Sequence, residues 1–206
     1  MMPATLFDSE TGDGEELLPH DGSARLYRSA VSPAVAARQF DDLRAEVPWE
    51  QRTLRVYGHE VAQPRLVAWF GDAGHSYTYS GMTMDPLPWS PTIQALKSTC
   101  ETLANETFNS GLANLYRDGN DGVAWHADDE PELGPLPIIA SLSLGAERRF
   151  DLRHKVTRET IKIAVPSGSL IVMSGSCQTN WLHQVPKQLR VRDARINLTF
   201  RNVHFS

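Results

Sequence analysis

The chain has 206 residues, of which 41% are hydrophobic and 22% charged, and its formal net charge is −5. That length suits a single domain with a substantial core. The acidic balance excludes a protein that coats nucleic acid non-specifically through phosphate neutralisation, and no apolar run approaches the roughly 18 residues needed to cross a bilayer.

Residues 1–22 are acidic and polar, with no regular apolar period, and read as a mobile tail ahead of one domain over 23–206. They have neither the basic start nor the apolar stretch of a signal peptide, which points to a cytoplasmic protein. Ser32-Pro33 has the N-cap and first-turn types of a helix, and Val35, Ala36, Phe40 and Leu43 give that helix an apolar face. Ser90-Pro91 repeats the signal before Ile93, Leu96, Cys100 and Leu103. Both helices are expected to cover the outside of a sheet.

Strands are expected at Thr53–Tyr57, Leu66–Phe70, Ser76–Tyr79 and Gly111–Tyr116. Further strands follow at Pro137–Leu144, Arg148–Leu152, Ile161–Val165, Ser169–Met173 and Asp193–Val203. Many short strands separated by Gly and Pro indicate a mainly β fold with flanking helices, a double-sheet jelly roll of the cupin kind (a double-stranded β-helix). Cys100 and Cys177 are the only cysteines and, far apart in sequence, read as free thiols of a reducing compartment.

The chemistry concentrates in two motifs. His126-Ala127-Asp128 at a strand end puts an imidazole and a carboxylate on one face, because strand side chains alternate. With His183 from a distant strand they form the two-His, one-carboxylate set that holds Fe(II) and leaves positions open for O2 and a co-substrate. A lone His-x-Asp is weak evidence, but here Arg195-x-Asn197-x-Thr199-x-Arg201 follows in order. Two guanidiniums on one strand face suit a dicarboxylate, namely 2-oxoglutarate.

The remaining histidines, His20, His59, His75, His154 and His204, have no partner at ligand spacing and read as structural or surface groups. Ser110 and Ser141 lack the surroundings of a nucleophile. Three basic clusters, Arg52 and Arg55, Arg148 to Lys155, and Lys187 to Arg192, read as solvated charge unless they converge on one rim and track a phosphate backbone.

The run Asn114-Leu115-Tyr116-Arg117-Asp118-Gly119, then Trp125-His126-Ala127-Asp128-Asp129-Glu130, with Pro137 to Ala146 and Arg195 to Arg201, resembles the AlkB family of oxidative DNA and RNA demethylases. The likeness starts near Val47 and is nearest to members that repair 1-methyladenine and 3-methylcytosine. It implies a jelly-roll core over about 111–203 with iron on His126, Asp128 and His183. It also implies 2-oxoglutarate contacts from Asn114, Tyr116, Arg195, Asn197, Thr199 and Arg201, without saying which arginine takes which carboxylate.

Residues about 50–90 resemble the family's nucleotide-recognition lid. By position Tyr79 would stack on a flipped base opposite His126 and Tyr77 would reach the backbone. Tyr57 is either a wedge for the gap left by that base or an ordinary strand aromatic. Asp129 and Glu130 would attract the cationic methylated base and accept its amino hydrogen. The implied protein is a monomer without membrane attachment that acts on methylated DNA or RNA, releasing formaldehyde, succinate and CO2. Trp125 to Pro131 lean toward single strands, and Gly71 to Gly74 toward duplexes. The rival readings are an oxygenase of the same fold acting on a protein, lipid or small molecule, and a binding module with a dead iron site.

Overall fold

The computed structural model describes residues 14–56, 59–73, 77–79, 82–84 and 86–204, with the backbone alone at 54–56, 77–79 and 82–84. In chain order the elements are β1 (Glu15–Glu16), β2 (Ser23–Tyr27), α1 (Pro33–Glu46), β3 (Thr53–Val56), β4 (His59–Ala62), β5 (Leu66–Gly71), β6 (Tyr77–Tyr79) and β7 (Met82–Met84). Then come α2 (Pro91–Ala104), β8 (Ser110–Tyr116), β9 (Val123–His126), β10 (Ile139–Gly145), β11 (Arg148–His154) and β12 (Thr160–Val165). The chain closes with β13 (Leu170–Ser174), α3 (Cys177–Asn180), β14 (Trp181–Val185) and β15 (Arg195–Arg201).

Both helices start where Ser-Pro places them, and Ser90 Oγ accepts the Ile93 amide to cap α2. The larger sheet has the order β1-β2-β13-β10-β15-β8-β5, and the smaller has β12-β11-β14-β9. Their pairings are antiparallel, giving the two-sheet jelly roll expected from the strand pattern.

Alternation along the strands decides what each face does. Ala140, Leu142 and Leu144 of β10, Leu170 and Val172 of β13, and Ile196, Leu198 and Phe200 of β15 pack toward the helices with Ala36, Leu43, Ile93, Leu96 and Cys100. Ile139, Ile171 and Met173, from the same strands, pack the other way against Phe150, Leu152, Ile163 and Trp181. The apolar members of β15 therefore commit to the helix-side core. Arg195, Asn197, Thr199 and Arg201 are left on the face between the sheets, because a strand's side chains alternate with period two.

The expected tail needs correction over residues 14–22, the part that the structure describes. Glu15 and Glu16 pair with Leu26 and Arg25, and β2 adds to β13. Leu18 is buried, and Glu16 accepts the amides of Leu18 and Ala24. A two-residue strand held by one carboxylate has no periodicity for a sequence reading to detect. β2, β4 and β7 were likewise not expected.

Candidate metal centre

β9 and β14 are adjacent, and His183 stands directly opposite His126 in the ladder. Cross-strand neighbours on one face are close, and here the two ring centroids are 4.2 Å apart. Asp128, two residues past the end of β9, completes the group: its carboxylate oxygens lie 3.9 Å from His126 Nε2 and 4.0 Å from His183 Nε2. One ligand atom from each of the three can be chosen with all of them within 4.8 Å of one another.

The protonation states suit a cation. His126 Nδ1 lies 2.8 Å from the Ala124 carbonyl oxygen. A carbonyl can only accept, so Nδ1 carries a hydrogen, and in the neutral ring Nε2 is the atom that presents a lone pair to the site. His183 is pushed down to about 3 by burial, with the nearby His126 adding to the effect, and stays a neutral imidazole. Burial opposes ionisation of Asp128, but the neighbouring guanidiniums, Arg201 first and Arg65 after it, hold the carboxyl below the ordinary range. Two neutral imidazoles and one carboxylate are the donor set of a non-haem Fe(II) site, so the residues present fit that ion.

The same cleft is lined by Arg65, Leu112, Asn114, Tyr116, Phe150, Asn197, Thr199 and Arg201. Arg201 Nη1 is 3.9 Å from Asp128 Oδ1, so this cation sits beside the three candidate ligands. Arg195 lies deeper, 2% exposed, with its guanidinium 5.2 Å from the Tyr116 ring. Its Nη2 donates to Ser143 Oγ at 2.7 Å, while Nε and Nη1 have no hydrogen-bond partner among the described residues. A buried, under-satisfied cation calls for an anion. Asn197 is fully used: its amide donates to Ser141 Oγ and the Leu142 carbonyl, and its oxygen accepts from Thr199. Asn114 Oδ1 accepts from Arg65 Nε at 2.8 Å. Arg65 stands in the segment read as a lid, where no pattern marked it as part of this wall.

Of the substrate candidates, Asp129 is exposed and 3.5 Å from Lys155 Nζ. Glu130 is half-buried, with Oε2 unpartnered among the described residues. Burial first, then Asp128 and Asp129, raise its carboxyl against the pull of Arg201. Tyr77 and Tyr79 occupy alternate positions of β6, of which only the backbone belongs to the described structure, and Tyr57 lies outside the described residues.

Two expectations about basic and imidazole groups are overturned. Arg148 is not solvated charge: it is 1% exposed and donates to the carbonyls of Asp118, Asp121 and Pro186. Its guanidinium binds the turn after β8 to the segment after β14. That turn is tight, since a Cβ on Gly119 would lie 1.8 Å from the Gln188 carbonyl oxygen. His20 and His154 do have partners, for they meet around Asp21, at 2.9 Å and 3.3 Å from its Oδ2. Residues 134 positions apart cannot show ligand spacing in the chain. This second group is poorly built for a metal. The Thr157 amide donates into His154 Nδ1 at 3.1 Å, so in the neutral ring Nε2 carries the hydrogen.

The sequence matches the 2OG-Fe(II) oxygenase superfamily over residues 23–201. It is 38% identical over 194 residues to the mouse (Mus musculus) protein named DNA oxidative demethylase ALKBH2, covering 89% of this chain and 81% of the relative. The chain belongs to the AlkB family of 2-oxoglutarate–Fe(II) oxygenases. Another AlkB relative, human (Homo sapiens) alpha-ketoglutarate-dependent dioxygenase alkB homolog 3, is 44% identical over 189 residues, or 87% of this chain. The chain spans 65% of that relative's length. A Trichoplax adhaerens prolyl hydroxylase, solved in complex with a hypoxia-inducible-factor peptide fragment, superposes with a TM-score of 0.62 at 13% identity, covering 87% of this chain and 83% of its own. That likeness concerns the jelly roll alone. The AlkB family uses Fe(II), 2-oxoglutarate and O2, and no described helix is long and apolar enough to cross a membrane.

Proposed function

We propose that this chain is an Fe(II)- and 2-oxoglutarate-dependent demethylase of N-alkylated nucleobases, 1-methyladenine and 3-methylcytosine, in DNA or RNA. The observation that carries the reading is the convergence of His126, Asp128 and His183 in a cleft that Arg65 and Arg201 also line. Fe(II), when bound, supplies with 2-oxoglutarate and O2 the oxidising power to hydroxylate an N-methyl carbon. The balance closes with succinate and CO2 from the co-substrate; the N-hydroxymethyl group gives up its hydroxyl proton and leaves as formaldehyde, and the electron pair of the broken C–N bond returns to the ring nitrogen as its lone pair.

In this reading the protein's work is placement and charge. His126, Asp128 and His183 hold the ion with a net charge of one carboxylate. Arg195 takes the far carboxylate of 2-oxoglutarate, because it is the deeper cation with free donors. Arg201 takes the carboxylate nearer the metal, because it already faces Asp128. Tyr116 and Asn114 shape the wall, while Asn197 and Thr199, bonded to each other, hold the arginine strand flat against β10. Asp129 and Glu130 select the cationic lesion, and Tyr77, Tyr79 and Tyr57 serve the flipped base from a lid over about 50–90. The chain acts as a monomeric oxygenase domain that takes in β1 at Glu15–Glu16, with its jelly-roll core at about 111–203. A cytoplasmic setting is supported by two buried free thiols, Cys100 and Cys177.

The test is formaldehyde release from methylated single-stranded DNA, duplex DNA and RNA, compared at one stated salt concentration. Release from at least one of them, dependent on Fe(II) and 2-oxoglutarate, is expected. If no methylated oligonucleotide stimulates succinate formation while the chain still turns over 2-oxoglutarate, the substrate is a protein, lipid or small molecule instead.

A further inference from the structure

β9 ends at His126, so the amide of Asp128 lies beyond the ladder and has no strand partner. Asp128 is buried, and a buried backbone N–H left unpaired costs about as much as a lost hydrogen bond. One side chain satisfies it: Gln178 Oε1 accepts the Asp128 amide at 3.0 Å. Gln178 is 1% exposed and sits in α3, the single turn that runs directly into β14 and its His183. That turn therefore holds both halves of the site, His183 through the chain and Asp128 through a side chain.

The side-chain nitrogen and the backbone carbonyl of Gln178 are engaged as well. Nε2 reaches Met173 Sδ at 3.5 Å, which fixes the amide's orientation. The Gln178 carbonyl accepts from Lys155 Nζ at 2.9 Å, and the same ammonium stands 3.5 Å from Asp129 Oδ2. Residues 128 and 129 are thus fastened at successive positions to one turn, the first by its backbone and the second by its carboxylate.

We propose that Gln178 is a positioning residue for the metal: by holding the Asp128 amide it fixes the carboxylate between the two imidazoles and so sets the affinity of the centre. This rests on the reading of His126, Asp128 and His183 as the ligands. Groups that orient a ligand without touching the ion typically change metal affinity 10- to 100-fold when removed. Gln178→Met keeps the length and apolar contacts but offers no oxygen to the amide. Gln178→Glu keeps an acceptor at the same reach.

The experiment titrates Mn(II), as an air-stable substitute for Fe(II), into the metal-free full chain and into both variants. Amide hydrogen exchange at Asp128 is followed alongside. Gln178→Met should bind Mn(II) roughly 10- to 100-fold more weakly with an unprotected Asp128 amide, while Gln178→Glu stays within a few-fold of the parent. Equal Mn(II) affinity in Gln178→Met and the parent overturns the proposal. So does an equal loss in both variants, which would make the role one of packing. An unprotected Asp128 amide in the parent chain overturns it without any variant. Failure of the parent itself to bind Mn(II) would instead bring down the metal centre on which the proposal stands.

Discussion

Replacing Arg195 with Met separates stability from co-substrate binding, because the two should move in opposite directions. Burial above all pushes the Arg195 guanidinium down to about 10, well below its ordinary range. A base depressed in the folded state has its charged form disfavoured there. The cost is present at every pH below the folded value, hence throughout the working range. At about 1.36 kcal/mol per pKa unit it is on the order of 3 kcal/mol. Losing the bond to Ser143 Oγ gives back about 1 kcal/mol. Without co-substrate, Arg195→Met should therefore be more stable by about 2 kcal/mol, or ~4–8 °C in melting temperature for a chain of this size. Two charge-assisted bonds to a carboxylate, at roughly 1.5–3 kcal/mol each, disappear with the guanidinium, so 2-oxoglutarate should bind at least ~100-fold more weakly. Thermal melting with Mn(II), with and without 2-oxoglutarate, reads both effects at once. A variant that melts below the parent and is still stabilised by 2-oxoglutarate would refute the assignment of Arg195 as the buried carboxylate anchor.

Three further outcomes are expected. His126→Ala should abolish Mn(II) binding and formaldehyde release while moving stability by no more than about 0.5 kcal/mol, as for surface positions in general, since the His126 side chain is 37% exposed; full activity in that variant would remove it from the ligand set. Asp121 accepts the Arg117 amide and two guanidinium bonds. Burial opposes its ionisation, but those bonds outweigh it and depress the carboxyl. Its stabilisation is present above the unfolded value of about 3.9 and is lost as pH falls through the lower folded value. Asp121→Asn should then be weaker by about 2 kcal/mol in urea titrations near neutrality, with the gap closing below pH ~4; a gap independent of pH would refute the ionic account. Asp129→Asn should narrow the preference for methylated over unmethylated bases in competition binding, and unchanged discrimination would assign that role elsewhere.

Much of the centre could be read from the chain because its signals are local. His126 and Asp128 share a tripeptide, and Arg195 to Arg201 alternate within one strand, so spacing alone predicts a common face. Ser32-Pro33 and Ser90-Pro91 fix both helix starts for the same reason. What escaped depends on distance along the chain. Gln178 meets Asp128 from 50 residues away, and Ser143 meets Arg195 from 52. Arg148 looked like surface charge because its neighbours are basic. It is buried because three carbonyls from two loops converge on it, which no composition window records. The strand at Glu15–Glu16 exists only through its pairing with β2.

The direct opposition of His126 and His183 sets how this molecule can be altered by insertion or deletion. Adding one residue within 181–185 ahead of His183 would turn its imidazole to the outside of the smaller sheet, since register errors invert every side chain of a strand. Adding several residues at the exposed positions Arg192 and Asp193, between the contacts that Pro186, Gln188 and Val191 make with the turn after β8 and the start of β15, would add only a slowly growing closure entropy. Length variation among natural or engineered versions should therefore collect at that point, and a library that randomises loop length there would keep the His126–His183 opposition while changing the rim around it.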